Sequence, residues 1–324
     1  MSIGLVVLLY AVWSSVFALG KMTLAFSPQV FLTSFRMILA GLLLLGYIKL
    51  IKKSSFAMNR QQWISIGILA LLSIYLTNIL EYWGLQHLSA AKACFIYSLS
   101  PFFAALFSYI HFKEKMNLTK WIGMSIGFLG FIPVLLTQTG SEELLQATSF
   151  LSWPTLAIVA AALFSVYGWV VLRLVVKDSQ ISPLLANGTS MLLGGMFALI
   201  HSFFLDSWTP IPVKEGHFFD MLQGILLLTG ISNILCYNLY GYLLKKFTAT
   251  FLSFVGLLSP IFASLSSYVF LHEPLSGKIF LSTGILSIGL WIVYRAELKQ
   301  GYILSEAKKA PITPAPTTDQ AEGS

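Results

Sequence analysis

The chain reads as an all-α integral membrane protein: ten transmembrane helices, built as two inverted five-helix repeats with both termini cytoplasmic. Three observations predict this. The first is composition. Of 324 residues, 56% are hydrophobic and only 10% charged, against about 25% charged in soluble domains. Mean hydropathy is +0.79. A soluble fold of this length cannot hide so much apolar surface. The second is repetition. Segment 89–114 recurs without a gap as 248–273. Ser100-Pro101 matches Ser259-Pro260, Phe103-Ala104 matches Phe262-Ala263, and Ser108, Tyr109 and Glu114 match Ser267, Tyr268 and Glu273. A second echo aligns Asn78 with Asn233 and Tyr82 with Tyr237. The third is charge. With the N-terminus inside, the loops carry 15 Lys and Arg on the cytoplasmic side and 4 outside, with Arg36 left within a helix. Positive loops face the cytoplasm.

The apolar stretches, each near the 20 residues a span requires, predict the helices in order. Helix 1 covers 3–20 and places Trp13 at its middle, beside Ser14 and Ser15. The N-terminus lacks a basic n-region, so this segment is expected to stay uncleaved. Helix 2 covers 30–50 and carries Arg36; helix 3 covers 63–84 and carries Asn78, Glu81 and Tyr82. Helix 4, 89–111, holds Lys92, Tyr97 and Pro101, with Glu114 after it. Helix 5, 119–136, carries Gly123, Gly127 and Gly130, small residues that suit close helix packing. A polar hinge over 137–152 separates the halves. Helices 6 and 7 cover 153–176 and 183–204, and a loop with Pro210 and Pro212 fills 205–219. Helix 8, 220–243, brings Asn233 and Tyr237; helix 9, 248–271, brings Pro260. Glu273-Pro274 is expected to open helix 10, 275–295, which carries Gly284 and Gly289. Residues 297–324, with Pro311, Pro314 and Pro316, read as a disordered cytoplasmic tail.

Five helices per half is an odd number, so the second half enters the membrane from the opposite side. The first repeat is placed at 1–140 and the second at 150–296. Inverted repeats bind substrate at their interface near the midplane and work by alternating access. The net charge of +7 follows the membrane and is not a nucleic-acid footprint. Cys94 and Cys236 both fall in spans and make no disulfide framework. His87, His111, His201, His217 and His272 show no metal-ligand spacing. No phosphate loop or nucleophile elbow is present, so neither ATP-driven transport nor an enzyme is expected. No cofactor is expected, and lipid is the surrounding partner.

Ionisable residues inside spans are expensive and point to function. Arg36, Glu81 and Lys92 are three, all in the outer half of the membrane. Arg36 lies about 10 Å deep at 1.5 Å rise per residue. Their repeat partners are uncharged: Ser190, Cys236 and Phe251. A zwitterionic or cationic small molecule would meet them. Arg36 or Lys92 suits a carboxylate, and Glu81 with Tyr82 suits a cation. The same residues have bland readings: Lys92 and Glu81 can snorkel or pair together, and Arg36 can tie helix ends. Trp13, Asn78, Tyr97, Asn233 and Tyr237 complete the expected substrate-binding set. The matched asparagines also suit interhelical hydrogen bonds. Pro101 and Pro260 each remove a backbone donor, freeing the carbonyls of Tyr97 and Gly256 at mid-membrane.

Pro101 and Pro260, Glu114 and Glu273, the Gly-rich helices after them, and Arg36 within helix 2 resemble the EamA-type drug/metabolite transporters over about residues 3–296. The resemblance implies a ten-helix inner-membrane carrier. These motifs do not select a substrate; the overall likeness of the chain to members of the family implies S-adenosylmethionine, exchanged for S-adenosylhomocysteine, as the first substrate pair. An exporter of amino acids or cationic drugs is the alternative. Import or export, ion coupling, and monomer or homodimer stay open.

Overall fold

The computed structural model of the chain describes residues 2–52, 57–112, 117–135, 152–177, 181–243, 252, 255–275 and 277–300. These residues are helical, with short connections. The helices are α1 (Ser2–Leu24), α2 (Gln29–Tyr47), α3 (Arg60–Leu69), α4 (Thr77–His87), α5 (Ala90–Tyr97), α6 (Ser100–Phe112) and α7 (Leu118–Leu135). After the hinge come α8 (Trp153–Lys177), α9 (Pro183–Leu205), α10 (Phe218–Leu228), α11 (Tyr237–Leu243), α12 (Ser259–Leu271) and α13 (Gly277–Gln300). Among the described residues, eight helical stretches are long and apolar enough to cross a membrane. The expected helices 5 and 9 correspond to the 18 residues of α7 and the 13 of α12. The hinge before Ser152, Glu114, and part of helix 9 lie outside the described residues.

Local chemistry sets the helix starts. Asn59, Ser89, Asn117, Ser152 and Ser182 each accept a hydrogen bond from the backbone N–H three residues on. Such caps satisfy one of the orphan donors of a helix N-terminus. At Asn59 the Gln62 side chain answers in return, closing a capping box. Pro101 and Pro260 do more than kink a continuous helix. Each stands at the second position of a new one. α5 stops at Tyr97, and α6 restarts at Ser100. A 3-10 turn, Gly256–Leu258, precedes α12. The Tyr97 carbonyl that Pro101 frees accepts the Ser100 hydroxyl at 2.5 Å.

Two spans share a feature that their sequences do not announce. α3 and α4 are joined by a π-helical stretch, Ala70–Leu76. α10 and α11 are joined by another, Thr229–Cys236. π turns widen the backbone ring and rotate the residues beyond them; they are frequent at functional sites. Side chains cover the displaced carbonyls. Thr77 donates to Leu72 O at 2.9 Å, and Asn238 donates to Asn233 O at 3.1 Å.

Packing pairs α2 with α9 and α7 with α13 most extensively. Both contacts are backbone to backbone. A methyl on Gly41 would sit 2.7 Å from Leu192 N, and one on Gly289 would sit 2.5 Å from both Gly123 O and Gly127 N. Dispersion at such short range replaces the hydrophobic drive that lipid removes. Gly284, expected to share this role, has open space beside it. The outer surface is apolar, with Phe204 and Phe219 at 87% and 78% exposure, as a lipid-facing surface requires.

Two expectations are corrected. Glu273-Pro274 does not open helix 10. α12 ends at His272 in the left-handed conformation, φ 54. Glu273 comes next, in a connection, and α13 starts at Gly277. The tail also begins later than 297, because α13 runs on to Gln300. Residues 301–324 lie outside the described residues.

Candidate functional site

A cavity of about 1230 Å³, open mouth included, lies among α1, α2, α4, α8, α11 and the two proline breaks. Discontinuous helices belong at such a place, because irregular backbone at membrane depth is tolerated where it lines a cavity. Tyr97, Ser98 and Pro101 line it from the first break; Gly256 and Ser259 line it from the second.

One part of the lining is polar. The π stretch before α4 delivers Asn78 and Glu81 to the cavity. The Glu81 carboxylate accepts the Tyr97 hydroxyl at 2.6 Å. Arg36, on α2 and 2% exposed, donates through Nη2 to Asn78 Oδ1. Its guanidinium lies 5.1 Å from the Tyr82 ring centre, a cation–π contact. Arg36 and Glu81 both line the cavity. Asn78 is itself anchored by donating to Ile74 O at 2.7 Å. Among the described residues, Arg36 Nε and Ser98 Oγ are buried and have no hydrogen-bond partner. A buried donor left unpaired costs free energy.

The other part is aromatic. Trp13, Trp169, Tyr237 and Tyr240 line the cavity together. Their rings touch, with Trp169 4.5 Å from Tyr240 and 5.1 Å from Tyr237, centre to centre. Trp13 lies 5.5 Å from Tyr237 and 5.6 Å from Tyr240.

Six of the nine residues expected from sequence line this cavity: Trp13, Arg36, Asn78, Glu81, Tyr97 and Tyr237. Three stand behind its wall. Tyr82 supports Arg36 with its ring. Asn233 donates to Met37 Sδ at 3.1 Å, an interhelical contact from the second π stretch to α2. Lys92 is fully buried on α5, with its amide on the Ser89 cap. Sequence reasoning missed Tyr10, Phe17, Ser165, Trp169 and Arg173, all on the lining. Trp169 carries a usable signal, since it sits well inside a span as Trp13 does. Arg173 reads in the sequence only as a positive residue near the inner helix end.

At one end of the molecule a clasp ties the halves. Lys21 Nζ meets Glu273 Oε1 at 2.8 Å and donates to Leu88 O at 2.7 Å. Glu273 Oε2 accepts the Ala90 amide at 3.2 Å. The ends of α1, α4 and α12 thus converge.

Comparison with known proteins fits this geometry. The model of the EamA-like transporter family matches residues 1–136 and 152–295. An S-adenosylmethionine/S-adenosylhomocysteine transporter of Chlamydia muridarum is 38% identical over 306 residues, covering 94% of this chain and 95% of its own. The protein of the same name from Chlamydia trachomatis serovar L2 is also 38% identical, covering 94% of this chain and 92% of its own. A crystal structure 14% identical in sequence superposes with a TM-score of 0.66, over 91% of this chain and 97% of its own. At that identity it shows the fold alone. The match to the family model extends over nearly all of the apolar part of the chain. This multi-pass membrane protein therefore belongs to the EamA-like transporter family, a family of carriers and not of enzymes.

Proposed function

We propose that the chain takes up S-adenosylmethionine across a bacterial inner membrane in exchange for S-adenosylhomocysteine. The observation that carries this reading is the polar part of the cavity. Arg36 keeps an unpaired donor beside a space that Glu81 also faces. An α-amino acid end presents one carboxylate and one ammonium. Arg36 takes the carboxylate, because a guanidinium can offer two parallel N–H donors. Glu81, steadied by Tyr97, takes the ammonium, and the sulfonium adds a second positive charge within its field. Asn78 and Tyr82 hold Arg36 in place. Lys92 and Asn233 act through the packing behind the wall. The names of the two chlamydial relatives support the substrate pair.

The mechanism is alternating access. Residues 1–140 and 150–296 act as inverted five-helix repeats, ten helices in all, with both termini cytoplasmic. Three features support this: the two matched segments of the family model, the two π-interrupted spans, and the two proline breaks. The tight pairs α2–α9 and α7–α13 join helices 2 and 7, and 5 and 10, which are counterparts in the two repeats. Such pairs suit rigid-body rocking about a shared seam.

The test uses purified protein in sealed liposomes preloaded with S-adenosylhomocysteine, with labelled S-adenosylmethionine outside. Saturable uptake that depends on the internal load is the expected result. Folded protein that gives no such uptake, or uptake blocked equally by simple amino acids, rejects the substrate pair and favours an amino-acid exporter.

A further inference from the structure

We propose that Trp13, Trp169, Tyr237 and Tyr240 form a stacking subsite for the purine ring of the substrate, separate from the Arg36–Glu81 region that takes its amino-acid end. The inference rests on the function proposed above and deepens it.

Four aromatic rings beside a carboxylate invite another reading, a cage around the sulfonium. The ring spacings argue against it. Trp13, Trp169, Tyr237 and Tyr240 stand 4.5–5.9 Å apart, centre to centre. Aromatic rings in mutual contact have centroids 4.5–7 Å apart. These rings are therefore packed on one another, and no cation fits between them. They offer the cavity one continuous apolar wall. Tilted and edge-on contacts, from 48° to 87° between planes, lock the wall in one shape. A flat ring laid on it stacks, as bases do on aromatic side chains.

The chemistry of exchange points the same way. S-adenosylmethionine and S-adenosylhomocysteine share the adenosine and the amino-acid end, and differ by one methyl group and the charge it brings. A carrier that swaps one for the other must hold both. A cage for the sulfonium would hold one and reject the other. A stacking wall reads a part that they share. It also excludes methionine and other amino acids, which fit the polar region but leave the wall wet.

The subsite is assembled from both halves: Trp13 from α1, Trp169 from α8, Tyr237 and Tyr240 from α11. Rocking of the halves would part Trp13 from the other three, so a bound purine spans the seam that moves.

The experiment measures binding of labelled S-adenosylmethionine and S-adenosylhomocysteine to the purified full chain, with adenosine and methionine as competitors. For the wild type, adenosine competes. In Trp169→Leu, affinity for both substrates falls by a similar factor, roughly tenfold. Adenosine then stops competing, and competition by methionine is unchanged. Trp169→Phe, which keeps a ring, retains most of the binding. Should Trp169→Leu fail to fold by thermal melt, Tyr240→Leu takes its place with the same expectations. Loss of S-adenosylmethionine affinity alone would mark a sulfonium site and overturn the proposal. So would unchanged binding of both, or a wild type that adenosine does not displace. If the wild type binds neither substrate, the functional reading fails first. The subsite fails with it unless adenosine itself binds in a manner that Trp169→Leu abolishes.

Discussion

Two spans invite comparison: Arg60–His87 in the first half and Phe218–Leu243 in the second. Both are interrupted by a π-helical stretch, and both carry Asn and Tyr four residues apart. Yet they do different work. The first turns Asn78 and Glu81 into the cavity and makes the polar region with Arg36. The second turns Tyr237 and Tyr240 into it and makes the aromatic wall. Asn233 and Cys236, the sequence counterparts of Asn78 and Glu81, are fully buried. Cys236 belongs to a buried cluster with Val6, Leu9 and Leu252 and is not on the cavity lining. The two π stretches stand in different register: the first ends before Asn78, and the second contains Asn233. Charge was added to the face that one copy aims at the cavity, and rings to that of the other.

The comparison breaks most visibly at Arg36. Arg36→Ala should reduce load-dependent uptake roughly 100-fold or more, the usual cost of removing one partner from a buried charged network. Uptake within a factor of two of wild type would show that the charged half of the comparison is structural only.

Glu81 comes next. Glu81→Gln should cut uptake on the order of tenfold, since a charge-assisted hydrogen bond contributes about 1.5–3 kcal/mol. Moving the carboxylate to the matched position sharpens the point. The double variant Glu81→Gln, Cys236→Glu should restore nothing and should lower the melting temperature. Burying a carboxylate among Val6, Leu9 and Leu252 costs several kcal/mol. Restored uptake would mean that the two faces are interchangeable after all.

The matched asparagines give a smaller contrast. Asn78→Leu should lower uptake several-fold, because Arg36 loses the acceptor that orients it. Asn233→Leu should change stability by less than about 1 kcal/mol in thermal melts. Among the described residues, its amide donates only to sulfur and its Oδ1 has no partner. Equal effects at the two sites would erase the distinction.

A further small effect is expected at the clasp between the halves. Glu273→Gln should cost about 1 kcal/mol of stability, as for partly exposed ion pairs. It should shift the melting temperature by a few degrees, an effect that high salt removes from the wild type. Salt-insensitive wild-type stability would count against it.

Much of the site is legible in sequence because charges and amides are conspicuous against an apolar background. Arg36, Glu81, Asn78, Tyr97, Trp13 and Tyr237 all stand out that way. Lys92 shows the limit of the method. It is as conspicuous as the others, but helix rotation buries it behind the wall. Trp169 shows the reverse. Its depth within a span is a signal that it shares with Trp13, but in a chain with 14% aromatic residues only its neighbours assign it to the wall. The proline breaks are half legible. Each proline marks a lost donor, but whether the helix bends or restarts depends on which group satisfies the freed carbonyl, and Ser100 does so at the first.

Read alone, the amino-acid sequence makes this a helical membrane protein and sets matched segments in its two halves. Those properties come from totals and periodicities: apolar content, span length and identity at a fixed offset. Only the tertiary structure decided which side of each span meets the cavity. The π stretches rotate the residues beyond them, and their widened backbone leaves no mark in composition or hydropathy. Only packing shows that Glu81 and Cys236, equivalent in the alignment, look in different directions.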